Sequence, residues 1–360
     1  MKNILKNKTF KNNLSVYLLV TVGFVVMQLL SSMGLLKSAV QGYLVPVCVY
    51  IVLAVSLNLL VGVCGELSLG HAGFMGIGAF CGIIVAALLQ PYVSSPVLRL
   101  TLAMIAGGIL AGVFGVIIGI PALRLRGDYL AIVTLACGEI LKNVYSNLYA
   151  GVDANGFHLA FRVDGFTLAE GGKMILDGPV GATGITKLAT FPAGYVLILF
   201  TLFIVLNLIN SKEGRAIKAV RDNRIAAESV GIHVTAFRMK AFVVSAFLAG
   251  MAGALFGLNF SSLSASKFNF NTSINILVFV VLGGMGNIMG SVISATVLYI
   301  LPEAMRGLDD LRMILYAVVL IVVMLCTWSP KLKQNLQALR ERIKEKFSKV
   351  LHKKEVASNE

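Results

Sequence analysis

The segment YLVPVCVYIVLAVSLNLLVGV, Tyr43 to Val63, runs for 21 residues without a charge. At a rise of ~1.5 Å per residue, a helix of that length matches the ~30 Å hydrocarbon core of a bilayer, where no water is present to satisfy unpaired backbone groups. The pattern recurs at Leu14 to Gly34, Leu67 to Leu89, Leu100 to Ile120, Ala193 to Asn210, Ala241 to Phe260 and Met313 to Trp328. Two further segments are compound. Tyr129 to Ala150 is apolar but carries Glu139 and Lys142, and Ile274 to Leu301 is interrupted by Gly283, Gly284, Gly286 and Gly290. The expected fold is an all-α polytopic integral membrane protein with about nine or ten transmembrane helices, some broken or re-entrant at glycine-rich elements.

Composition points the same way: 57% of the 360 residues are hydrophobic and 13% charged, against roughly 45–50% and 25% in a soluble domain. A soluble enzyme is excluded. The five cysteines, Cys48, Cys64, Cys81, Cys137 and Cys326, form no C-x-x-C pair and read as small buried hydrophobes. The first apolar run follows Lys2, Lys6, Lys8 and Lys11 as a signal peptide would. Its 21 residues exceed the usual 7–15-residue signal core and no A-x-A site follows, so it is read as a span.

Basic residues are retained on the cytoplasmic side of a membrane. The N-terminus, the Arg124–Asp128 turn, the stretch Ser211 to Lys240 and the tail beyond Trp328 hold 22 of the 31 basic residues and 8 of the 17 acids, and with them the whole net charge of +14. This concentration explains the high isoelectric point without nucleic acid. The expected organisation is a basic cytoplasmic N-terminus (1–13), a transmembrane permease domain (14–328) and a basic amphipathic cytoplasmic tail (329–360). Within the domain, 151–192 forms an extracytoplasmic loop and 211–240 a cytoplasmic one. Both termini on one side require an even number of crossings, which nine segments do not supply. The glycine cluster from Leu282 to Gly290 is where a helix is expected to break and re-enter.

A second glycine-rich stretch, Gly65 to Gly78, lies upstream. Glycine interruptions in both halves of a membrane protein point to discontinuous helices around a central pathway. On that reading Ser68, Gly70, His71, Gly73, Gly76, Gly283, Gly284 and Gly286 are translocation-pathway candidates. The other reading is close helix packing by small residues, and spacing alone leaves both open. Ionisable groups at membrane depth face a cavity or a partner. Glu139 and Lys142, three apart, are expected to form a structural ion pair near a bundle end, and His71 a hydrogen bond between helices, while Glu66 falls in the same glycine stretch.

Catalytic patterns are missing from the sequence: it has no H-E-x-x-H, no G-x-S-x-G and no phosphate-binding G-x-x-x-x-G-K-[ST]. Gly178 to Lys187 comes nearest to the last but lacks the Gly-Lys step. No enzyme activity and no cofactor are expected on this chain, and ATP, if used, binds elsewhere. In Ser211 to Lys240, Ile217, Val220, Ile225 and Val230 recur among charges, with Gly231 able to end a helix. An amphipathic helix offered to a partner fits this stretch, and a helix lying on anionic lipid is the competing reading.

Four blocks then carry a family resemblance in order along the chain: Leu67–Ala79 (LSLGHAGFMGIGA), Pro121–Leu135 (PALRLRGDYLAIVTL), Gly214–Ile232 (GRAIKAVRDNRIAAESVGI) and Leu282–Gly290 (LGGMGNIMG). Together they resemble the LivM-type permease subunits of branched-chain amino acid ATP-binding cassette (ABC) importers. The resemblance implies an inner-membrane subunit working with a LivH-type second permease, two cytoplasmic ATP-binding subunits and an extracytoplasmic solute-binding protein. It also implies that Ala226 to Gly231 belongs to the cytoplasmic coupling loop that docks on the ATPase. Gly214, Arg215, Arg221, Ala226, Ala227, Glu228 and Gly231 are the coupling residues on this basis. Two departures stand out. The 151–192 loop is longer and more acidic than the compact T-G-G-x-x-G-I loop usual in the family, and the last span ends in Ser329-Pro-Lys-Leu332 instead of Pro-x-Gly-Leu.

The implied function is inward translocation of leucine, isoleucine or valine by alternating access, driven by separate ATPases. The alternatives are an ABC permease for urea or short amides and an ion-coupled carrier using Glu139, Lys142 or His71.

Overall fold

The computed structural model describes residues 8–34, 38–125, 127–153, 156–161 and 172–304, with positions 317, 318 and 321. The chain divides at residue 300 into two units. The last expected span falls almost wholly outside the described residues, and the basic tail wholly so.

Eleven helices are described: α1 (Lys8–Ser32), α2 (Ser38–Asn58, prolonged by a π-helical segment Leu59–Cys64), α3 (His71–Leu88), α4 (Pro96–Ala122), α5 (Asp128–Ser146), α6 (Phe191–Asn210), α7 (Lys212–Asp222), α8 (Arg224–Ser229), α9 (Val234–Gly257), α10 (Phe270–Gly283) and α11 (Ile288–Ala304). Six segments are long and apolar enough to cross a membrane: Asn13–Ser32, Val40–Cys64, His71–Leu88, Pro96–Ala122, Phe191–Asn210 and Val234–Gly257. Helix α5, which carries Asp128, Glu139 and Lys142, is not among the six, and α10 and α11 are shorter apolar helices. The protein is an all-α polytopic membrane protein in its apolar body.

Helix α9 is the hub, packed against α2, α3 and α4. Lipid is as apolar as leucine, so no hydrophobic gain drives these helices together. Close van der Waals approach does, and small residues permit it. A Cβ on Gly78 would lie 1.9 Å from the carbonyl oxygen of Gly250, and one on Gly253 1.9 Å from that of Met75. Along α4, Gly107, Gly108, Ala111, Gly115 and Gly119 are buried, while every exposed residue from Val97 to Ile120 is aliphatic. That two-faced pattern is what a helix between protein and hydrocarbon requires.

The expected break is present. Helix α10 ends at Gly283, the chain turns through Gly284 (φ +91°) and Gly286 (φ +82°), and α11 begins at Ile288. Dihedrals in that region are open to glycine and strained for other residues. The two short helices therefore run as an antiparallel pair, closed where Gly283 meets the backbone of Gly290.

The 151–192 region contributes something that hydropathy could not show. Strands β1 (Tyr149–Asp153), β2 (Gly156–Ala160), β3 (Lys173–Asp177) and β4 (Gly181–Ala182) form an antiparallel sheet in the order β2-β1-β3-β4. Its edge is tied to the α9–α10 connection through paired hydrogen bonds between Ala182 and Leu263, 2.9 Å each way. The sheet thus caps the end of the bundle opposite residues 211–233.

Candidate functional site

The loop after α6 is a folded unit. Ser211 caps α7 by accepting from the Gly214 amide at 3.1 Å, and Asn223 caps α8 by accepting from the Ala226 amide at 3.0 Å, as short polar side chains do for unpaired first-turn amides. Gly214 permits the sharp turn out of the membrane helix, because a Cβ there would sit 2.1 Å from the Leu208 carbonyl oxygen. Val220, Ala227 and Val234, with Ile232 against them, form a small core of their own. Gly231 ends the unit at φ +82°.

This unit is locked to the bundle on its inner side. Arg221 donates from Nη1 to the carbonyl of Gly62 at 2.9 Å, in the π-helical end of α2, and both Nε and Nη2 donate to Asp222. Its side chain occupies the space a Cβ on Gly65 would need. Arg238, 4% exposed, pairs with Glu66 at 2.5 Å and donates to the carbonyl of Leu123 at the end of α4 at 3.1 Å. A buried arginine is tolerated only with such partners. One short span thus ties α2, α4, α7 and α9 together. The same end of α2 also grips the helix break: Asn58 Oδ1 accepts from the Gly286 amide at 2.7 Å, and Asn58 Nδ2 donates to Ser291 Oγ at 2.7 Å.

The outer side is different. Ile225 and Val230 are 79% and 74% exposed, and Arg215, Ala226 and Glu228 stand on the surface, Glu228 held by an i,i+4 pair with Arg224 at 3.1 Å. Ile217, by contrast, is buried against the bundle. Of the coupling candidates, Gly214, Arg221 and Ala227 therefore build the unit, while Arg215, Ala226, Glu228 and Gly231 are presented outward. Arg238 and Asn58 went unremarked in the sequence, because Arg238 is one of seven basic residues in the 211–240 stretch, Asn58 lies in a run otherwise read as plain span, and the partner of each is far along the chain.

The pathway candidates fall into two groups. Gly70 abuts the Thr134 carbonyl, Gly73 the backbone of Gly138 and Gly76 the ring of Tyr145, so these three seat α3 against α5. His71 is buried and shares a hydrogen bond of 2.9 Å with Ser56, joining α3 to α2. Ser68 is buried with no hydrogen-bond partner for its hydroxyl among the described residues. Gly283, Gly284 and Gly286 form the break. Glu139 pairs with Lys142 and accepts from the Phe270 amide at 3.1 Å, thereby capping α10 across helices.

The chain is thus a polytopic helical bundle with a folded, partly apolar loop projecting from one end. The profile of the family described as branched-chain amino acid transport system / permease component matches residues 39–325, and the chain belongs to that family. It is 33% identical over 296 residues to the high-affinity branched-chain amino acid transport system permease protein LivM of Escherichia coli, and 32% identical over 293 residues to that of Salmonella typhimurium; each match covers 79% of this chain and 67% of the relative. Similarity extends to the LivH permease of Salmonella typhimurium, 23% identical over 253 residues, 69% of this chain and 79% of that one. No solved structure matches the chain.

Proposed function

We propose that this chain is one of two permease subunits of an ATP-driven importer for branched-chain amino acids, and that residues 211–233 are its docking element for the ATPase. The exposure of Ile225 and Val230 on a loop whose inner face is fixed to the bundle carries this reading. An apolar pair standing in water is stabilised by burial against a partner, and a folded loop transmits a push where a flexible one absorbs it. Push on the loop reaches the helix ends directly, through Arg221 to Gly62 and through Asn58 to Gly286. The chain thus supplies a two-state lever and no chemistry, and hydrolysis occurs on two partner chains in the cytoplasm.

On this reading residues 211–233 face the cytoplasm of a cell whose inner membrane holds the protein. Tracing the helices from there gives α1 outward, α2 inward, α3 outward, α4 inward, α5 outward, α6 inward, α9 outward, α10 inward and α11 outward. The sheet of β1–β4 then lies outside, where the solute-binding protein delivers its cargo. Assignment of leucine, isoleucine and valine as solutes rests on the family and on the LivM relatives.

The test is affinity purification of the chain in mild detergent with its partners, followed by reconstitution and uptake of labelled leucine. Recovery of a second permease and two ATPases, with uptake that requires ATP, is the expected result. Ile225→Asp, Val230→Asp and Gly231→Pro should each lose the ATPases while keeping the second permease. A solitary chain moving solute under a proton gradient would overturn the proposal.

A further inference from the structure

The exposed faces of the bundle are not alike. That of α4 is wholly aliphatic between Val97 and Ile120, as contact with lipid demands. On α10 the exposed residues are Asn271 and Asn275, four apart and therefore on one face. On α5, Asn143 is exposed one turn nearer the sheet end than the half-buried Glu139, which pairs with Lys142. The side chains of the three asparagines make no hydrogen bond among the described residues.

The depth of Asn275 is fixed by the Glu139 cap. Helix α10 starts level with Glu139, which lies seven residues before the end of α5, and Asn275 is five residues further in. Along the two helices this amounts to roughly 18 Å from the sheet end, about the middle of a ~30 Å hydrocarbon core. A bare amide at the depth of Asn275 is unfavourable in lipid, so water or another polar wall must cover it and Asn271 one turn above it, while Asn143, three residues before the end of α5, stands nearer the sheet.

We infer that the α10 face formed by Asn271 and Asn275 lines the water-filled solute path of the assembled transporter, on the α5–α10 side of this chain, with Asn143 nearer its sheet-end mouth. The inference rests on the permease reading and adds the place and chemistry of the path. Each amide offers two donors and an acceptor, which suits the ammonium and carboxylate of a zwitterion without favouring either. Glu139 and Lys142 neutralise each other, so the wall carries no net charge to trap an ion. A neutral, hydrogen-bonding wall beside a broken helix binds a zwitterionic solute weakly enough to release it. The opposite wall comes from the second permease.

The experiment is cysteine labelling in the complete complex. In a background free of native cysteine, Asn143→Cys, Asn271→Cys and Asn275→Cys are treated with a hydrophilic, membrane-impermeant methanethiosulfonate, with Ile109→Cys on α4 as the lipid-facing control. Labelling at the asparagine positions should be at least about tenfold faster than at position 109, the margin expected between water and hydrocarbon. It should block leucine uptake and be slowed by saturating leucine. A complex that transports yet leaves all three positions unlabelled overturns the inference, as does labelling without effect on uptake or equal labelling of Ile109→Cys. Absence of ATP-dependent uptake by the wild-type complex would overturn the permease reading itself, a result the labelling pattern cannot mimic. If one variant fails to assemble, the other two decide.

Discussion

Between Gly70 and Gly78 the glycines lie at the start of and along one continuous helix, whereas between Gly283 and Gly290 they end one helix and begin another. Both stretches read as glycine-rich interruptions of an apolar run. In the first, Gly73, Gly76 and Gly78 occupy helical positions and each is pressed against another element: the Gly138 backbone, the Tyr145 ring and the Gly250 carbonyl. In the second, Gly284 and Gly286 adopt positive φ, a Cβ on Gly284 would meet only an ordinary contact with Asn287 at 3.7 Å, and the closest contacts are at Gly283 and Gly290. The glycines of α3 are needed for what is absent, a side chain. Those of the break are needed for a backbone conformation. Membrane proteins use glycine in both ways, and substitution separates them.

The largest effect is expected at Gly78→Ala, where the added methyl meets a backbone carbonyl that cannot move aside. A loss of about 3 kcal/mol, the upper end of overpacking costs, should appear as a lowered unfolding temperature in detergent and poor accumulation in membranes. Asn58→Leu comes next. It leaves the Gly286 amide without an acceptor, at about 2 kcal/mol, and should loosen the break without disturbing α3, visible as faster hydrogen exchange confined to residues 284–291. Gly284→Ala should cost about 1–2 kcal/mol through backbone strain alone; a cost equal to that of Gly78→Ala would erase the distinction drawn here. Smallest is Glu139→Gln at the far end of α10, which keeps an acceptor for the Phe270 amide and loses only a part-exposed ion pair, under about 1 kcal/mol. Uptake should survive it at normal expression. Loss of transport would mean that Glu139 carries more than the helix cap.

Much of this was legible beforehand. The apolar runs at Tyr43, Leu100 and Ala193 became α2, α4 and α6 because length and hydropathy are local properties of a chain. The break after Gly283 was legible for the same reason, since clustered glycines weaken a helix wherever it lies. The family blocks anticipated the loop of Gly214 to Ile232. The sheet of 149–182 was not visible, because its strands are short and pair with segments up to 28 residues away. Nor was the division of Ile217 from Ile225, equal in the sequence yet buried and exposed in the fold.

The sequence by itself determined that this chain lives in a membrane, where helices must start and stop, and which loop is charged, because the bilayer acts on each segment separately and rewards only local composition. Tertiary structure decided which partner each polar group found: Glu66 for Arg238, Gly62 for Arg221, Glu139 for the start of α10. It also decided which face of α10 was left bare. Pairings across 172 residues, as between Glu66 and Arg238, depend on how helices cross, and crossing is set by side chains fitting in three dimensions, which no run of residues read singly contains.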